Sequence, residues 1–154
     1  MKARTLLLTL ALCFVGAAIC FAQDPNSGTW KLNEAKSQIP PGGLKIATTV
    51  IAAEGDNMKV TQDATDKDGK PIHTEWTGKF DGKDYPVTGN PAVDTRSYKK
   101  VGDSTLMTVN KKGGKVVISA RSVVSADGKT RTVHLTITDS AGKKVTGTAV
   151  YDKQ

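Results

Sequence analysis

Cysteine is nearly absent from this sequence. Cys13 and Cys20 are the only two cysteines, and both lie within the first twenty residues. The rest of the chain cannot supply a disulfide, a thiolate nucleophile, or a cysteine ligand for zinc or an iron–sulfur cluster. A domain of this length can bury a sufficient core without such cross-links. We therefore expect packing alone to stabilise it.

Histidine and aromatic side chains are also scarce. The sequence has two histidines, His73 and His134, and aromatic residues make up 5% of it. A zinc site usually needs three or four ligands, so we expect no metal and no cofactor; a haem held by one histidine is the less favoured alternative. Gly-x-Ser-x-Gly and His-Glu-x-x-His motifs are absent, and we expect the protein not to be an enzyme.

Long apolar runs are missing except at the N terminus. Lys2 and Arg4 precede a nearly unbroken apolar run at 6–19, which is followed by a Cys-Phe-Ala triplet at 20–22. This layout is typical of a secretory signal peptide. It predicts cleavage before Gln23, one domain at 23–154, no membrane span after cleavage, and a periplasmic or secreted location. An uncleaved anchor and a lipoprotein processed at Cys20 are the alternatives.

The charge is positive but dispersed. The net charge is +7 at pH 7, and many lysines stand at predicted turn tips: Lys70, Lys83, Lys115, Lys129 and Lys143. We interpret them as a solvated surface that protects strand edges. The alternative is attraction to an anionic envelope polymer or to lipid headgroups. Because no aromatic residues alternate with the lysines, we expect no nucleic-acid partner.

A recurring turn gives the fold class. Asp-Gly-Lys occurs at 68–70, 81–83 and 127–129, and Asp-Gly pairs suit tight hairpins. Segments rich in Val, Ile and Thr separate the turns, and several of them alternate with period two, which indicates strands that bury one face. One helical turn is possible at 34–38. The predicted strands are 29–33, 44–53, 58–65, 72–80, 95–101, 105–110, 116–124, 130–138 and 144–151.

Short connections favour an antiparallel meander, and closure removes its exposed edges. The prediction is an all-β, up-and-down barrel of eight to ten strands, with a two-sheet β-sandwich as the alternative.

The first predicted strand carries a short motif, Gly28-Thr29-Trp30. With the meander that follows, it resembles the lipocalin-like and fatty-acid-binding-like barrels, together called calycins. The resemblance implies that the indole of Trp30 closes one end of the barrel and that a basic side chain, Arg121 or Arg131, packs across it. The short, proline-rich segment 34–43 departs from the helical lid of fatty-acid-binding proteins.

A closer resemblance is to small exported bacterial proteins. It is carried by Asp-Tyr-Pro-Val-Thr-Gly-Asn-Pro at 84–91, the following segment 94–100, and Ser-Ala-Asp-Gly-Lys at 125–129. It implies an exported lipocalin-like β-barrel domain and no particular activity.

A ligand site is predicted inside the barrel, for a small apolar or amphipathic molecule. Arg96 or Arg121 would meet a carboxylate or phosphate head. Segment 85–91 is expected to be either a recognition loop or an ordinary crossover. The alternative is a barrel packed solid, acting as a non-catalytic envelope or extracellular interaction module through its basic surface. The side chains expected to line the site are Trp76, Phe80, Tyr85, Tyr98 and Met107.

Overall fold

The computed structural model describes residues 24–154. The predicted signal peptide, its cleavage site before Gln23 and both cysteines lie outside the described residues. The first five strands are β1 (Gly28–Leu32), β2 (Lys45–Glu54), β3 (Asn57–Thr65), β4 (Pro71–Gly78) and β5 (Tyr85–Thr88). The other five are β6 (Thr95–Gly102), β7 (Thr105–Lys112), β8 (Lys115–Val124), β9 (Thr130–Thr138) and β10 (Lys144–Lys153).

The sheet closes on itself. Each strand pairs antiparallel with the next, and β1 pairs with both β2 and β10. Trp30 of β1 lies opposite Thr49 on one side and Lys153 on the other. The predicted up-and-down barrel is confirmed, and a single closed ring of strands excludes the two-sheet sandwich.

The nine predicted strands are present, and the predicted helical turn is a 3-10 turn at Glu34–Lys36. One strand was not predicted: β5 falls in the segment 85–91, which was expected to be a loop. β5 has four residues and includes Pro86, and proline is unfavourable within a sheet because it cannot donate to the ladder. Two register pairs on each side nevertheless join β5 to β4 and β6.

The predicted strand at 72–80 ends earlier than expected, at Gly78. A Cβ on Gly78 would lie 2.5 Å from Cγ of Tyr85 and 2.8 Å from Cζ2 of Trp76. The aromatic rings therefore occupy the place of a side chain. The chain leaves the sheet there and returns as β5.

The barrel has two unlike ends. The closed end holds the β2–β3, β4–β5, β6–β7 and β8–β9 connections and is filled by side chains that are at most 1% exposed: Trp30, Ile51, Val60, Trp76 and Leu106. The open end holds the other connections and the segment 39–44. Within residues 24–154, no helix is long and apolar enough to cross a membrane.

Candidate functional site

A cavity of about 110 Å³ occupies the open half of the barrel. Its walls come from eight of the strands, from the segment 39–44 and from Asn90 in the β5–β6 connection. Side chains on one face of each strand converge there because pleated strands point alternate residues inward. The apolar part of the wall consists chiefly of Ile39, Leu44, Ile46, Ile118, Leu135 and Ile137.

The register explains how polar and apolar groups meet in this space. Arg96 of β6 lies opposite Asn110 of β7, Asn110 lies opposite Ile118 of β8, and Ile118 lies opposite Ile137 of β9. Residues opposite one another point to the same face. One circumferential row therefore passes from a charged group to two isoleucines.

Arg96 is buried and held by neutral acceptors. Its Nε–H donates to Oδ1 of Asn110 at 2.6 Å, and its Nη1 donates to Oε1 of Gln62 at 2.8 Å and to the hydroxyl of Tyr98 at 3.3 Å. Three neutral oxygens orient the guanidinium but do not offset its charge. The positive charge therefore stays in the barrel interior.

Arg131 of β9 is the second buried guanidinium, 6% exposed. Its Nη2 donates to Oγ of Ser122 at 3.3 Å, and its Nε has no hydrogen-bond partner. Burial lowers the pKa of the Arg131 guanidinium; the side chains of Tyr98 and Tyr151 oppose that change, and the charge of Arg96 adds to it. Arg131 therefore has donor capacity left within the cavity wall.

Tyr151 of β10 lies directly opposite Arg131 in the register and also lines the cavity. Burial raises the pKa of Tyr151 to about 12; the charge of Arg131 opposes the change, and Tyr98 adds to it. At neutral pH its hydroxyl is therefore protonated, and it can both donate and accept a hydrogen bond.

No carboxylate balances the two guanidinium groups. Among the residues that the structure describes, no Asp or Glu lines the cavity. The ion pairs found between residues 24 and 154 include neither Arg96 nor Arg131. The cavity therefore combines apolar surface with two buried positive charges, Arg96 on β6 and Arg131 on β9.

The structure separates the predicted site residues into three groups. Arg96 and Tyr98 line the cavity. Trp76, Phe80 and Tyr85 form an aromatic cluster below it, in which Trp76 is 4.8 Å from Tyr98, 5.7 Å from Tyr85 and 6.1 Å from Phe80 between ring centroids. These three are absent from the cavity wall because their rings fill the closed end.

Met107 forms the third group, and the expectation that it lines the site is wrong. It is 37% exposed, while its neighbours Leu106 and Thr108 turn inward. Arg121 lies opposite Met107 in the register and is exposed as well. The strand alternation puts both on the outer face, so Arg121 cannot meet a ligand head in the cavity.

The implied partner of Trp30 is also corrected. The cation over its indole is the Nζ of Lys153, 5.1 Å from the ring centroid, and neither Arg121 nor Arg131. The indole Nε1–H donates to the carbonyl oxygen of Asn26 at 2.9 Å. A basic side chain from a late strand does cover the indole, but it comes from the last strand.

The histidines lie outside the barrel. Nδ1 of His73 is 2.7 Å from Oδ1 of Asp63, and Nε2 is 3.4 Å from Oε1 of Glu75. Hydrogen bonds that the ring donates to these carboxylates, Asp63 first, raise the pKa of His73. Within the described part of the chain, no group of three or more His, Cys, Asp and Glu could hold a metal ion.

Sequence reasoning missed Arg131 as a cavity residue, although the alternation of its strand contains the signal. Arg131 has the same parity as Val133, Leu135 and Ile137, the face that we predicted to be buried. A basic residue on the same face of a strand as three apolar residues indicates a buried cation. The residues across the cavity from Arg131 could not be predicted this way, because the pattern of one strand does not determine its register with distant strands.

A second depression lies outside the barrel, beside β1 and β2 at the closed end. It is an open groove of about 380 Å³ whose lining includes Asp24, Val50 and Met58. Its other lining residues are Ser27, Gly28, Thr29, Ile51, Ala52 and Ala53, so its polar side chains are one carboxylate and two small hydroxyls. Ligand sites are typically concave and apolar with a few convergent polar groups, and the barrel cavity fits this description better.

No protein-family model matches the sequence, and no curated protein matches it. Among solved structures, a redesigned β-barrel, mFAP1, bound to DFHBI is 15% identical, covers 84% of this chain and 95% of its own, and gives a TM-score of 0.47. Lobster apocrustacyanin A1 is 13% identical, covers 86% of this chain and 63% of its own, and gives a TM-score of 0.41. The barrel described above rests on its own strand pairing.

Proposed function

We propose that this chain is an exported, lipocalin-like protein that binds a small apolar or amphipathic molecule in the open half of its barrel. The observation that carries the proposal is the half-filled interior. Bulky side chains fill one end to 1% exposure or less, whereas a cavity of about 110 Å³ remains at the other. A barrel that served only as a scaffold would gain stability by filling that space.

The cavity wall supplies both parts of an amphipathic site. Ile118, Leu135 and Ile137 offer apolar surface, and each methylene buried there contributes about 0.8 kcal/mol. Arg96 and Tyr151 offer polar groups that would fix the orientation of a ligand. The role is binding rather than catalysis, since these groups suit holding a molecule and include no base beside a nucleophile.

The proposed address is the periplasm or the extracellular medium, from the signal-peptide pattern at 1–22. N-terminal sequencing of the protein from its own host tests this address. Export with cleavage predicts a mature chain that starts at Gln23.

Native mass spectrometry of the protein isolated from its own host tests the binding role. We expect an adduct that survives gentle ionisation and departs on denaturation. Ala120 lines the cavity, so Ala120→Phe should abolish the adduct; Ser119→Phe, the neighbouring position that does not line it, is the matched control. A bare mass under several growth conditions, with both variants alike, would contradict a binding role.

A second candidate is an envelope interaction module that uses the basic surface. Four lysines near the open end, Lys70, Lys115, Lys143 and Lys144, are exposed, and the ion pairs within residues 24–154 include none of them. Such charges attract anionic polymers or lipid headgroups. Salt-sensitive pull-down from envelope fractions, together with a bare native mass, would favour this candidate.

A further inference from the structure

We infer that the occupant of the cavity is a small organic anion, a compact carboxylate such as an aryl or short branched acid, whose carboxylate binds the guanidinium of Arg131. This inference rests on the proposed function and narrows it to one ligand class. Three observations carry it: the charge balance of the cavity, the unused donor of Arg131, and the cavity volume.

The charge balance calls for an anion. Two guanidinium groups, Arg96 and Arg131, are 5% and 6% exposed, and within the described residues no Asp or Glu lines the space between the strands that carry them. A buried charge without a counter-charge is strongly unfavourable. A bound carboxylate would offset one of the two charges, whereas a neutral ligand would offset neither.

The hydrogen bonds distinguish the two arginines. Arg96 already donates to Asn110, Gln62 and Tyr98. Arg131 has a single hydrogen bond, the 3.3 Å contact with Ser122, and its Nε is unpartnered. A guanidinium binds a carboxylate through two parallel N–H donors. Nε and Nη1 of Arg96 are both engaged, whereas in Arg131 only Nη2 is engaged. Arg96 is therefore the oriented neighbour, and Arg131 is the anion-binding residue.

Tyr151 would complete the head-group site. It lies opposite Arg131 in the register and lines the cavity, and like any phenol its hydroxyl is protonated at neutral pH. A protonated phenol can donate to the second carboxylate oxygen. The two neighbouring strands thus present a cation and a neutral donor to the same head group.

The cavity volume limits the apolar part of the ligand. An engineered apolar cavity of about 150 Å³ holds benzene. This cavity is smaller, about 110 Å³, but it opens at the end of the barrel, so an aryl acid would leave part of its ring in the opening. Trp30, Trp76 and Leu106 close the other half of the barrel at 1% exposure or less, so a longer chain cannot extend beyond the head-group site. A long-chain acid would have to leave most of its chain outside the open end.

Isothermal titration of the purified protein at pH 7 tests the inference with benzoate, its neutral isostere benzamide, and dodecanoate. We expect benzoate to bind about tenfold or more tightly than benzamide, a margin typical of a charge-assisted hydrogen bond. We expect dodecanoate to gain nothing over benzoate. Arg131→Met should weaken benzoate binding at least tenfold and leave benzamide unchanged.

Arg121→Met is the matched control, since Arg121 lies on the neighbouring strand but is exposed on the outer face. It should leave benzoate binding unchanged. The thermal unfolding midpoint of the unliganded protein shows whether each variant folds. Arg131→Met should raise this midpoint, because an apolar side chain replaces an unpaired buried charge. If Arg131→Met does not fold, Arg131→Lys, which keeps the charge but not the paired donors, should bind benzoate more weakly than the parent.

The outcomes separate the two proposals. Equal binding of benzoate and benzamide, or benzoate binding that Arg131→Met leaves intact, would overturn the anion assignment and keep a cavity binder. Tighter binding of dodecanoate than of benzoate would overturn the size limit. If none of the three compounds binds, the inference is overturned. The proposed function is overturned as well only if native mass spectrometry also shows a bare protein.

Discussion

The indole Nε1–H of Trp76 donates a 2.9 Å hydrogen bond to the backbone carbonyl oxygen of Arg96. This bond joins the packed half of the barrel to the half that holds the cavity. Trp76 is 1% exposed and its ring meets that of Tyr98 edge-on at 4.8 Å. The aromatic cluster at the closed end thus fixes the strand from which a cavity arginine projects.

Substitution of Trp76 should separate packing from this hydrogen bond. Trp76→Ala should lower the free energy of unfolding by about 3–5 kcal/mol, since it leaves a large cavity. Trp76→Phe keeps a ring and should cost less, with about 1–3 kcal/mol coming from the carbonyl left unpaired. Urea unfolding measures both values. A loss near zero for Trp76→Phe would show that the hydrogen bond does not matter.

Gly89 should be intolerant of any side chain. Its φ is +81°, and a Cβ would collide with the carbonyl oxygen of His73 on β4. Gly142 is the matched control, because its φ is +82° and nothing lies within 4 Å of the same added atom. Gly142→Ala should cost about 1 kcal/mol from backbone strain alone. Gly89→Ala should cost clearly more by thermal unfolding, and equal costs would contradict the close approach of the β5–β6 connection to β4.

Acid should destabilise the fold through Asp94. Hydrogen bonds from the Gly113 backbone N–H first, and then from Lys112, lower the pKa of Asp94 below its ordinary 3.8. The unfolded chain therefore takes up this proton before the folded one, and stability is lost as the pH falls below about 4. Unfolding midpoints from pH 6 to pH 2 (roughly the window of carboxyl titration) should decline less steeply for Asp94→Asn than for the parent. An unchanged slope would exclude Asp94 as a contributor.

Alkaline pH should destabilise the fold through ionisation of the Tyr151 phenol. Because its folded pKa is about 12 and the ordinary value is 10.0, the unfolded chain loses the phenolic proton first. The stabilising contribution is complete below pH 10 and is lost as the pH rises toward 12. Absorbance at the phenolate band should show one tyrosine that titrates last, and Tyr151→Phe should remove that step. Loss of an earlier step instead would show that Tyr151 is not the buried phenol.

Much of the fold could be predicted from the sequence because each strand carries its own signal. The alternation Val133, Leu135, Ile137 identified a buried face without any knowledge of its neighbours, and that face lines the cavity. Asp-Gly pairs placed the hairpins, and Gly69 and Gly128 have the positive φ values that such turns require. These are local properties, so one sequence suffices to read them.

The site was less accessible because it depends on relations between strands. Trp76, Phe80 and Tyr85 have inward parity, but parity does not say at which end of the barrel a ring lies. Phe80 and Tyr85 pack against Trp76 at the closed end, whereas the cavity lies in the open half. β5 escaped prediction since Pro86 argues against a strand, and only its pairing with β4 and β6 shows it to be one.

One half of this barrel is packed, and the other half holds a cavity with apolar surface and two buried arginines. Diffraction from crystals pressurised with xenon tests it without any knowledge of the ligand, since xenon enters apolar cavities of this kind. Xenon should lie among Ile118, Leu135 and Ile137, and none should lie beside Leu106 or Val60. A barrel interior without xenon, with the three open-end side chains packed together, would contradict it.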